Sequence, residues 1–174
     1  MRMPDDVLLR CSAVVFRGES VLLVHRSARG ADDWVLPGGT PRAGESMVAC
    51  ARRETREETG LAVEPARVAF VLEAVDPDTG RRTVDLVFTA DGAPGQTPSS
   101  REEGMTAEFV AFSRLRALDM KPPLAGHLPG LFHRGGRRYA PYLGNLWRPR
   151  NGTRITRALS ALPLLPPFPP FRSR

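Results

Sequence analysis

Acidic side chains of this chain gather on one short segment that follows the Gly38–Gly39 pair. Glu54, Glu57 and Glu58 stand close together there, and Glu45 lies between them and the glycines. Because a helix turns by about 100° per residue, the three close glutamates would share an arc of roughly 100° on one face. Such carboxylates repel one another unless a cation lies among them, and oxygen ligands suit Mg²⁺ or Mn²⁺. The segment therefore predicts a divalent metal site. The alternative is a solvated acidic face paired with neighbouring arginines.

A helix is needed to place these carboxylates, and the sequence predicts one. Ser46–Thr59 contains neither Gly nor Pro, and Gly60 stands where a left-handed glycine commonly ends a helix. The helix would bury one face, because four residues fall at helical spacing. These residues are Met47, Val48, Ala51 and Thr55.

Most of the remaining predicted secondary structure consists of strand-forming runs. They are Val7–Phe16, Val21–His25, Trp34–Leu36, Ala66–Ala74, Thr83–Ala90 and Glu108–Phe112. The first two runs flank a short loop and are expected to form a hairpin. Ser113–Leu115 is expected to begin a helical turn, and Pro122–Phe132 to form a short helix with its prolines in the first turn. The pattern predicts an α+β or α/β sandwich with helices flanking a mixed sheet.

The acidic segment resembles the signature of the Nudix hydrolase family, G-x5-E-x7-R-E-U-x-E-E-x-G-U, where U is a bulky residue. The matching residues are Gly39, Glu45, Arg53, Glu54, Glu57, Glu58, Gly60 and Leu61. Thr55 departs from the pattern at the first U position, but it has nearly the shape of valine. The resemblance implies an α/β/α sandwich, extending over residues 7 to 118, whose catalytic helix follows the Gly-Gly loop.

The resemblance also implies roles for individual residues. The metal ligands would be the carbonyl of Gly39 together with Glu54, Glu57 and Glu58, and the ion would be Mg²⁺ or Mn²⁺. The catalytic set would be Arg53, Glu54, Glu57 and a loop acid, Glu103, with its neighbour Glu102 as the other candidate. Arg53 would hold a catalytic glutamate by a salt bridge. Glu45 and Gly38 would support the site.

The reaction implied is hydrolysis of the diphosphate bond in a nucleoside diphosphate linked to another moiety. A proline sixteen residues after the signature is associated in the family with ADP-ribose pyrophosphatases, and Pro77 occupies that position. Pro77 also fits an ordinary turn in the DPDTG run. ADP-ribose or a nucleotide sugar is thus the first expectation, and Arg26 is a candidate phosphate contact. The alternative is an oxidised deoxynucleoside triphosphate, with Trp34 or Phe109 stacking on its base.

A third hypothesis, of another class, is a Nudix-fold protein that binds nucleic acid through a basic C-terminal part. The chain has 174 residues and a net charge of +6, and residues 121–174 contain ten Lys or Arg and no acid. All basic residues except one are arginine, a bias that genome composition alone can produce. The intact set of glutamates favours an enzyme and makes nucleic acid an unexpected partner.

Composition sets the remaining expectations. We divide the chain into a catalytic domain (1–118), a basic extension packed on or capping it (119–162) and a proline-rich, disordered tail (163–174). Cys11 and Cys50 are expected to be free thiols. Neither a signal-like nor a membrane-spanning run is recognisable, so we expect a cytoplasmic protein without membrane partners. A homodimer is compatible with the sequence.

Overall fold

The computed structural model describes residues 7–28, 30–76, 80–92, 95–100, 102–133 and 142–146. Pro77 and the tail 163–174 lie outside these ranges, as does most of the basic extension. The strands are β1 (Val7–Val14), β2 (Ser20–Arg26), β3 (Asp33–Val35), β4 (Gly38–Gly39), β5 (Val63–Val75), β6 (Arg82–Gly92), β7 (Met105–Ala111) and β8 (Tyr142–Asn145). The helices are α1 (Met47–Thr59) and α2 (Leu128–His133), with a 3₁₀ helix at Phe112–Ala117.

Two sheets form the framework. The larger sheet has five strands in the order β4-β1-β6-β5-β8, and the smaller has three in the order β3-β2-β7. In the larger sheet β1 runs parallel to β6 and β5 parallel to β8, while its other pairs are antiparallel. This mixed sheet, with α1 packed against it, confirms the predicted fold class.

The expected hairpin between the first two strands is formed only at its tip. Phe16 and Val21 form an isolated bridge, and Arg17 donates its backbone N–H to Ser20 O at 2.9 Å. Beyond this turn, β1 pairs with β4 and β6 while β2 pairs with β3 and β7. Strand β1 is buried from Cys11 to Val14, and β2 from Val21 to Val24. Each therefore needs neighbours on two sides and cover on two faces, which a lone hairpin cannot supply.

Helix α1 begins and ends as the sequence predicts. The Ser46 hydroxyl accepts a hydrogen bond from Ala49 N–H at 3.1 Å, and Gly60 adopts a left-handed φ of 71° while donating to Arg56 O. The buried side of α1 includes Ala51 and Thr55, as expected. Met47 is 42% exposed, so its placement on this side was wrong. The helix meets the sheet through Cys50 and Ala51 instead, one turn further along.

The principal core lies between the two sheets and includes residues beyond position 118. Met120, Leu124, Leu128 and Leu131 are all buried in it. Helix α2 starts at Leu128, so Pro122 and Pro123 precede the helix instead of lying in its first turn as predicted, and Pro129 lies there instead. The reason is that Lys121 N–H donates to Trp34 O, which holds the preceding segment extended against β3. The boundary at residue 118 stays a prediction, although this core continues past it.

The helices of the described residues offer no membrane span, because each is too short or too polar to cross a bilayer.

Candidate active site

The Gly38–Gly39 pair brings the backbone against both the sheet and helix α1. Gly38 lies opposite Ser12 in β1, and a Cβ at Gly38 would fall 2.6 Å from the Ser12 Cα. A Cβ on Gly39 would fall 2.4 Å from Cδ of Glu54. The absence of side chains therefore lets the turn approach the sheet on one side and a glutamate carboxylate on the other.

Arg53 is the centre of the carboxylate cluster. Its Nε and Nη2 donate to the two oxygens of Glu45 at 2.8 and 2.9 Å, which is a bidentate pair. Its Nη1 donates to Glu54 at 2.6 Å and to Glu57 at 3.1 Å. One guanidinium thus holds a loop carboxylate and two helix carboxylates in a fixed arrangement. The hydrogen bonds from Arg53, followed by one from the Arg42 backbone, lower the pKa of Glu45 to about 2.

Glu58 stands apart from this cluster. Its side chain is buried, and Oε2 accepts the Gly38 N–H at 2.9 Å. Burial raises the pKa of Glu58 to about 7, against the opposing effects of Arg10 and of the Gly38 hydrogen bond. The negative charges of Glu54 and Glu102 raise this pKa further. A nearby cation would favour the ionised form of this carboxyl.

The three predicted helix ligands therefore do not share one open face in the arrangement observed. Glu57 is 43% exposed and Glu54 17%, whereas Glu58 turns inward to the glycine backbone. Within the described ranges, we find no cluster of three or more acidic, His or Cys side chains already arranged around a metal position.

The donor set nevertheless fits a hard divalent cation, because it consists of carboxylate and carbonyl oxygens. The Gly39 backbone, beside the Glu54 carboxylate, leaves the space that a side chain would fill. The assignment of Gly39, Glu54, Glu57 and Glu58 as ligands stays a prediction.

An open groove of about 870 Å³ runs along α1 beside the cluster. Its lining residues come from the loop before α1, from the helix and from the loop before β7: Glu45, Ala49, Arg52, Arg53, Arg56, Glu57, Gly60 and Glu102. The two adjacent loop acids, Glu102 and Glu103, are both exposed, but only Glu102 lines the groove. The role of Glu103 stays a prediction, but the geometry favours Glu102 for a part in the site.

Arg42 is a site residue that the sequence analysis missed. Its backbone N–H donates to Glu45 at 2.9 Å and its Nη2 to Glu57 at 3.3 Å. Its position three residues before Glu45, the spacing of a tight turn, could have identified it in the sequence.

Three other candidates lie away from the groove. Arg26 donates to Asp33 at 2.7 Å in a cavity between the sheets. The Trp34 ring stacks on His25 with centroids 4.6 Å apart, and the guanidinium of Arg17 covers the ring of Phe109 at 3.8 Å. Both aromatic residues thus already have a planar neighbour.

Cys11 and Cys50 are buried free thiols, as expected.

Comparison with known proteins shows the family of this chain. The NUDIX domain model matches residues 8–131 of this chain. A curated relative, the uncharacterized Nudix hydrolase YvcI of Bacillus subtilis, is 33% identical over 96 residues, which are 53% of this chain and 60% of the relative. The 8-oxo-dGDP phosphatase NUDT18 of Danio rerio is 33% identical over 106 residues, 56% of this chain but only 31% of that protein.

Solved structures show the same fold. A NUDIX hydrolase from Nitrosomonas europaea superposes with a TM-score of 0.65 at 22% identity, covering 78% of this chain and 99% of that one. An ADP-ribose pyrophosphatase from Streptococcus suis gives a TM-score of 0.59 at 22% identity, covering 81% of this chain and 98% of that one.

Proposed function

Because the chain belongs to the Nudix hydrolase family, as its domain match shows, we propose that it hydrolyses the diphosphate bond of a nucleoside diphosphate derivative. The observation that carries this proposal is the cluster in which Arg53 holds Glu45, Glu54 and Glu57 at the edge of an open groove. A diphosphate in that groove would lie beside carboxylates that can bind a cation and accept a proton.

A bound Mg²⁺ or Mn²⁺ would supply the positive charge that neutralises the phosphate oxygens and lowers the pKa of an attacking water. Glu54, Glu57 and Glu58, with the Gly39 carbonyl, would hold it. Arg53 holds Glu54 and Glu57 in place by hydrogen bonds, which is positioning rather than proton transfer. The hydrogen bond that the Gly38 N–H donates to Glu58 Oε2 fixes the spacing between the glycine turn and the helix.

The proton of the attacking water needs a carboxylate within reach of the groove. Glu54 is one candidate, because it accepts a hydrogen bond at 2.6 Å from Arg53, which lines the groove. Glu102 is the other, since it lines the groove from the opposite loop. Arg56 lies exposed on the rim of the groove, where it can neutralise a phosphate. Arg52 is held at 2.6 Å by Glu64 and contributes less free charge.

The first substrate class proposed is ADP-ribose or a nucleotide sugar. It rests on the position of Pro77 in the sequence, which lies outside the described residues, and on the groove's size. At about 870 Å³, the groove is near the upper end of the roughly 300–1,000 Å³ of small-molecule sites, enough for a diphosphate with a further group.

Oxidised nucleotides are the second class, and one observation favours them. Relatives at 32% and 33% identity carry the name 8-oxo-dGDP phosphatase, whereas the ADP-ribose pyrophosphatase is similar at 22%. An oxidised nucleoside diphosphate and a nucleotide sugar present the same bond to the cluster. The pocket around the rest of the substrate must therefore separate them.

A substrate panel tests the proposal. ADP-ribose, UDP-glucose, 8-oxo-dGDP and 8-oxo-dGTP are each incubated with the protein and Mg²⁺ or Mn²⁺, and the products are separated by chromatography. We expect cleavage within the diphosphate, with AMP and ribose 5-phosphate from ADP-ribose. Absence of turnover on every diphosphate with either ion would refute the proposed activity. Preference for 8-oxo-dGDP or 8-oxo-dGTP would move the substrate to the second class.

A further inference from the structure

A network of largely buried polar side chains lies under the glycine turn. It consists of Arg10 and Ser12 from β1 and Asp85 from the neighbouring strand β6. Arg10 and Asp85 are partners in the parallel register, and Ser12 follows two residues later on the same face of the sheet. Ser12 is 0% exposed and Asp85 3%. None of the three lines the groove along α1, so the network belongs to the support of the turn and not to the groove itself.

Hydrogen bonds fix the guanidinium of Arg10 at two places. The Ser12 hydroxyl lies 2.8 and 2.9 Å from the two oxygens of Asp85, and its oxygen accepts from Arg10 Nε at 3.0 Å. Arg10 Nε also lies 3.4 Å from Asp85 Oδ2. At the tip of the side chain, Nη2 donates to Leu36 O at 2.6 Å. Arg10 thus connects two strands of the larger sheet to the chain that enters the glycine turn.

The glycine turn rests on this network and also bonds to a predicted metal ligand. Gly38 pairs with Ser12 so closely that an added Cβ would fall 2.6 Å from the Ser12 hydroxyl oxygen. The Gly38 N–H donates to Glu58 at 2.9 Å. A shift of this backbone segment would therefore move the Gly39 carbonyl and the bond to Glu58 together.

A gain in stability does not by itself explain the buried pair of Arg10 and Asp85. Removing two charges from water is costly, and apolar residues of similar volume often give a fold that is at least as stable. A guanidinium differs from an apolar group because its planar fork presents several donors in fixed directions. In Arg10 these donors join the Ser12–Asp85 pair to a backbone carbonyl outside both strands. The arrangement suits a group that fixes geometry.

We propose that Arg10, Ser12 and Asp85 are positioning residues that hold the glycine turn in the geometry needed to bind a divalent cation. The proposal rests on the proposed function, because it takes the turn to be part of a metal site. Asp85 orients the guanidinium, Ser12 supports Gly38, and Arg10 holds the carbonyl at which the turn begins. All three act through the backbone of the turn and not by ligating the ion.

Mn²⁺ binding by the full chain tests this without turnover. The EPR signal of free Mn²⁺ is followed while the unmodified protein and Arg10→Met are titrated. If Arg10 acted only through its charge, its removal would strengthen the binding of a cation. Loss of positioning predicts the opposite sign, with Mn²⁺ bound at least about tenfold more weakly, as for other residues that support metal ligands. Unchanged or tighter binding would overturn the proposal, and so would the absence of Mn²⁺ binding by the unmodified protein.

A double variant keeps the test valid if Arg10→Met does not fold, because the single change leaves Asp85 buried without its cationic partner. Arg10→Met combined with Asp85→Asn removes both charges, so the net charge is unaltered and no buried charge is left alone. The Ser12 hydroxyl can still donate to the amide oxygen. We expect Mn²⁺ to bind at least about tenfold more weakly to this folded variant, and an unchanged affinity would overturn the proposal.

Asp33→Asn is the matched control. Asp33 is also buried, at 1% exposure, and also pairs with an arginine, since Oδ1 accepts from Arg26 Nε at 2.7 Å. In the described part of the chain, the bonds of these two side chains do not include the glycine turn. The control should therefore melt at a lower temperature but keep its Mn²⁺ affinity. An equal loss of affinity would show that any damage between the sheets disturbs the site, and would overturn the assignment.

The positioning role and the proposed activity fail separately in these experiments. Hydrolysis of a diphosphate together with unchanged Mn²⁺ affinity in the Arg10 variants would remove the positioning role and leave the activity standing. Mn²⁺ affinity that depends on Arg10, in a protein that hydrolyses no diphosphate, would remove the activity and leave the positioning role standing.

Discussion

Replacing Gly39 with alanine tests the geometry of the cluster most directly. The new Cβ would lie 2.4 Å from Cδ of Glu54 and 2.5 and 2.7 Å from its two oxygens. Carbon atoms in ordinary contact are roughly 3.5 Å apart, so the carboxylate must move by about 1 Å. The obstacle is the end of a flexible side chain, and the backbone of Gly39 carries no left-handed φ. The fold should therefore survive while Glu54 leaves its place beside the turn.

The size of the effect follows from that displacement. A misplacement of about 1 Å at a reacting centre can cost on the order of 10²-fold in rate. The shift would also strain the 2.6 Å hydrogen bond from Arg53 to Glu54. We expect kcat on the best substrate of the panel to fall about 10²-fold. The melting temperature should change by no more than about 4 °C, corresponding to roughly 1 kcal/mol in a domain of this size.

Two further glycine variants control the experiment. Gly126→Ala makes the same change where an added Cβ meets nothing within 4 Å, and should keep both rate and melting temperature. Gly38→Ala pushes a Cβ to 2.5 Å from the Cys11 carbonyl and 2.6 Å from Ser12, both backbone atoms that cannot rotate away. This variant should lose stability as well as activity. Unchanged kcat in a folded Gly39→Ala protein would refute the view that Glu54 acts from its position at the turn.

The remaining predictions concern charge and metal. Glu57→Gln should lower kcat by about 10²-fold or more with an unchanged melting curve, and wild-type initial rates would show that this carboxylate is only a solvated group. Arg53→Lys keeps the charge but loses the bidentate hydrogen bonds of the guanidinium. We expect a lower kcat and a free energy of unfolding that is lower by about 1 kcal/mol, a value already reduced for solvent screening and measured by urea unfolding. An unaltered unfolding midpoint would contradict this. EDTA should abolish hydrolysis and Mg²⁺ or Mn²⁺ restore it, and full activity in excess EDTA would disprove the metal dependence. Burial acts to raise the pKa of Asp33, but hydrogen bonds and charge from Arg26 and Lys121 outweigh it and lower the pKa. The ionised Asp33 therefore stabilises the fold above the unfolded-state pKa of roughly 3.9, and this stabilisation is lost as pH falls through the folded-state pKa. The difference in melting temperature between the unmodified protein and Asp33→Asn should shrink from pH about 7 to about 3. A difference that grows would contradict the lowered pKa.

Local sequence chemistry was sufficient to predict helix α1 with its ends. Ser46 and Gly60 act on their own backbone neighbours, so their effect does not depend on the rest of the fold. The same holds for Arg53, which lies one turn from Glu57 and next to Glu54 on one helix. Such contacts are fixed by helix geometry alone and can be predicted once the helix is recognised.

Contacts between distant segments could not be predicted in this way. Helix geometry places Glu54, Glu57 and Glu58 within an arc of about 100°. Glu58 is nevertheless buried while Glu57 is open to solvent, because the sheet packs against only one side of this arc. The two-residue strand β4 is too short to have a periodic pattern, and it exists because β1 offers it partners. The cavity between the sheets draws residues from β1, β2, β3, β5 and β6, whose meeting depends on the full topology.

The charge balance around the glycine turn indicates that Arg53 alone would not take the place of a metal ion. Glu45, Glu54, Glu57 and Glu58 bring four carboxylates to the glycine turn, while the guanidiniums that bond them directly come from Arg53 and Arg42. Full ionisation leaves two negative charges that these two arginines do not offset, which is the charge a divalent cation would match. Burial is the main cause of the raised pKa of Glu58, and the charges of Glu54 and Glu102 add to it. The arginines therefore hold the carboxylates in place, and the remaining charge would supply the affinity for a divalent ion.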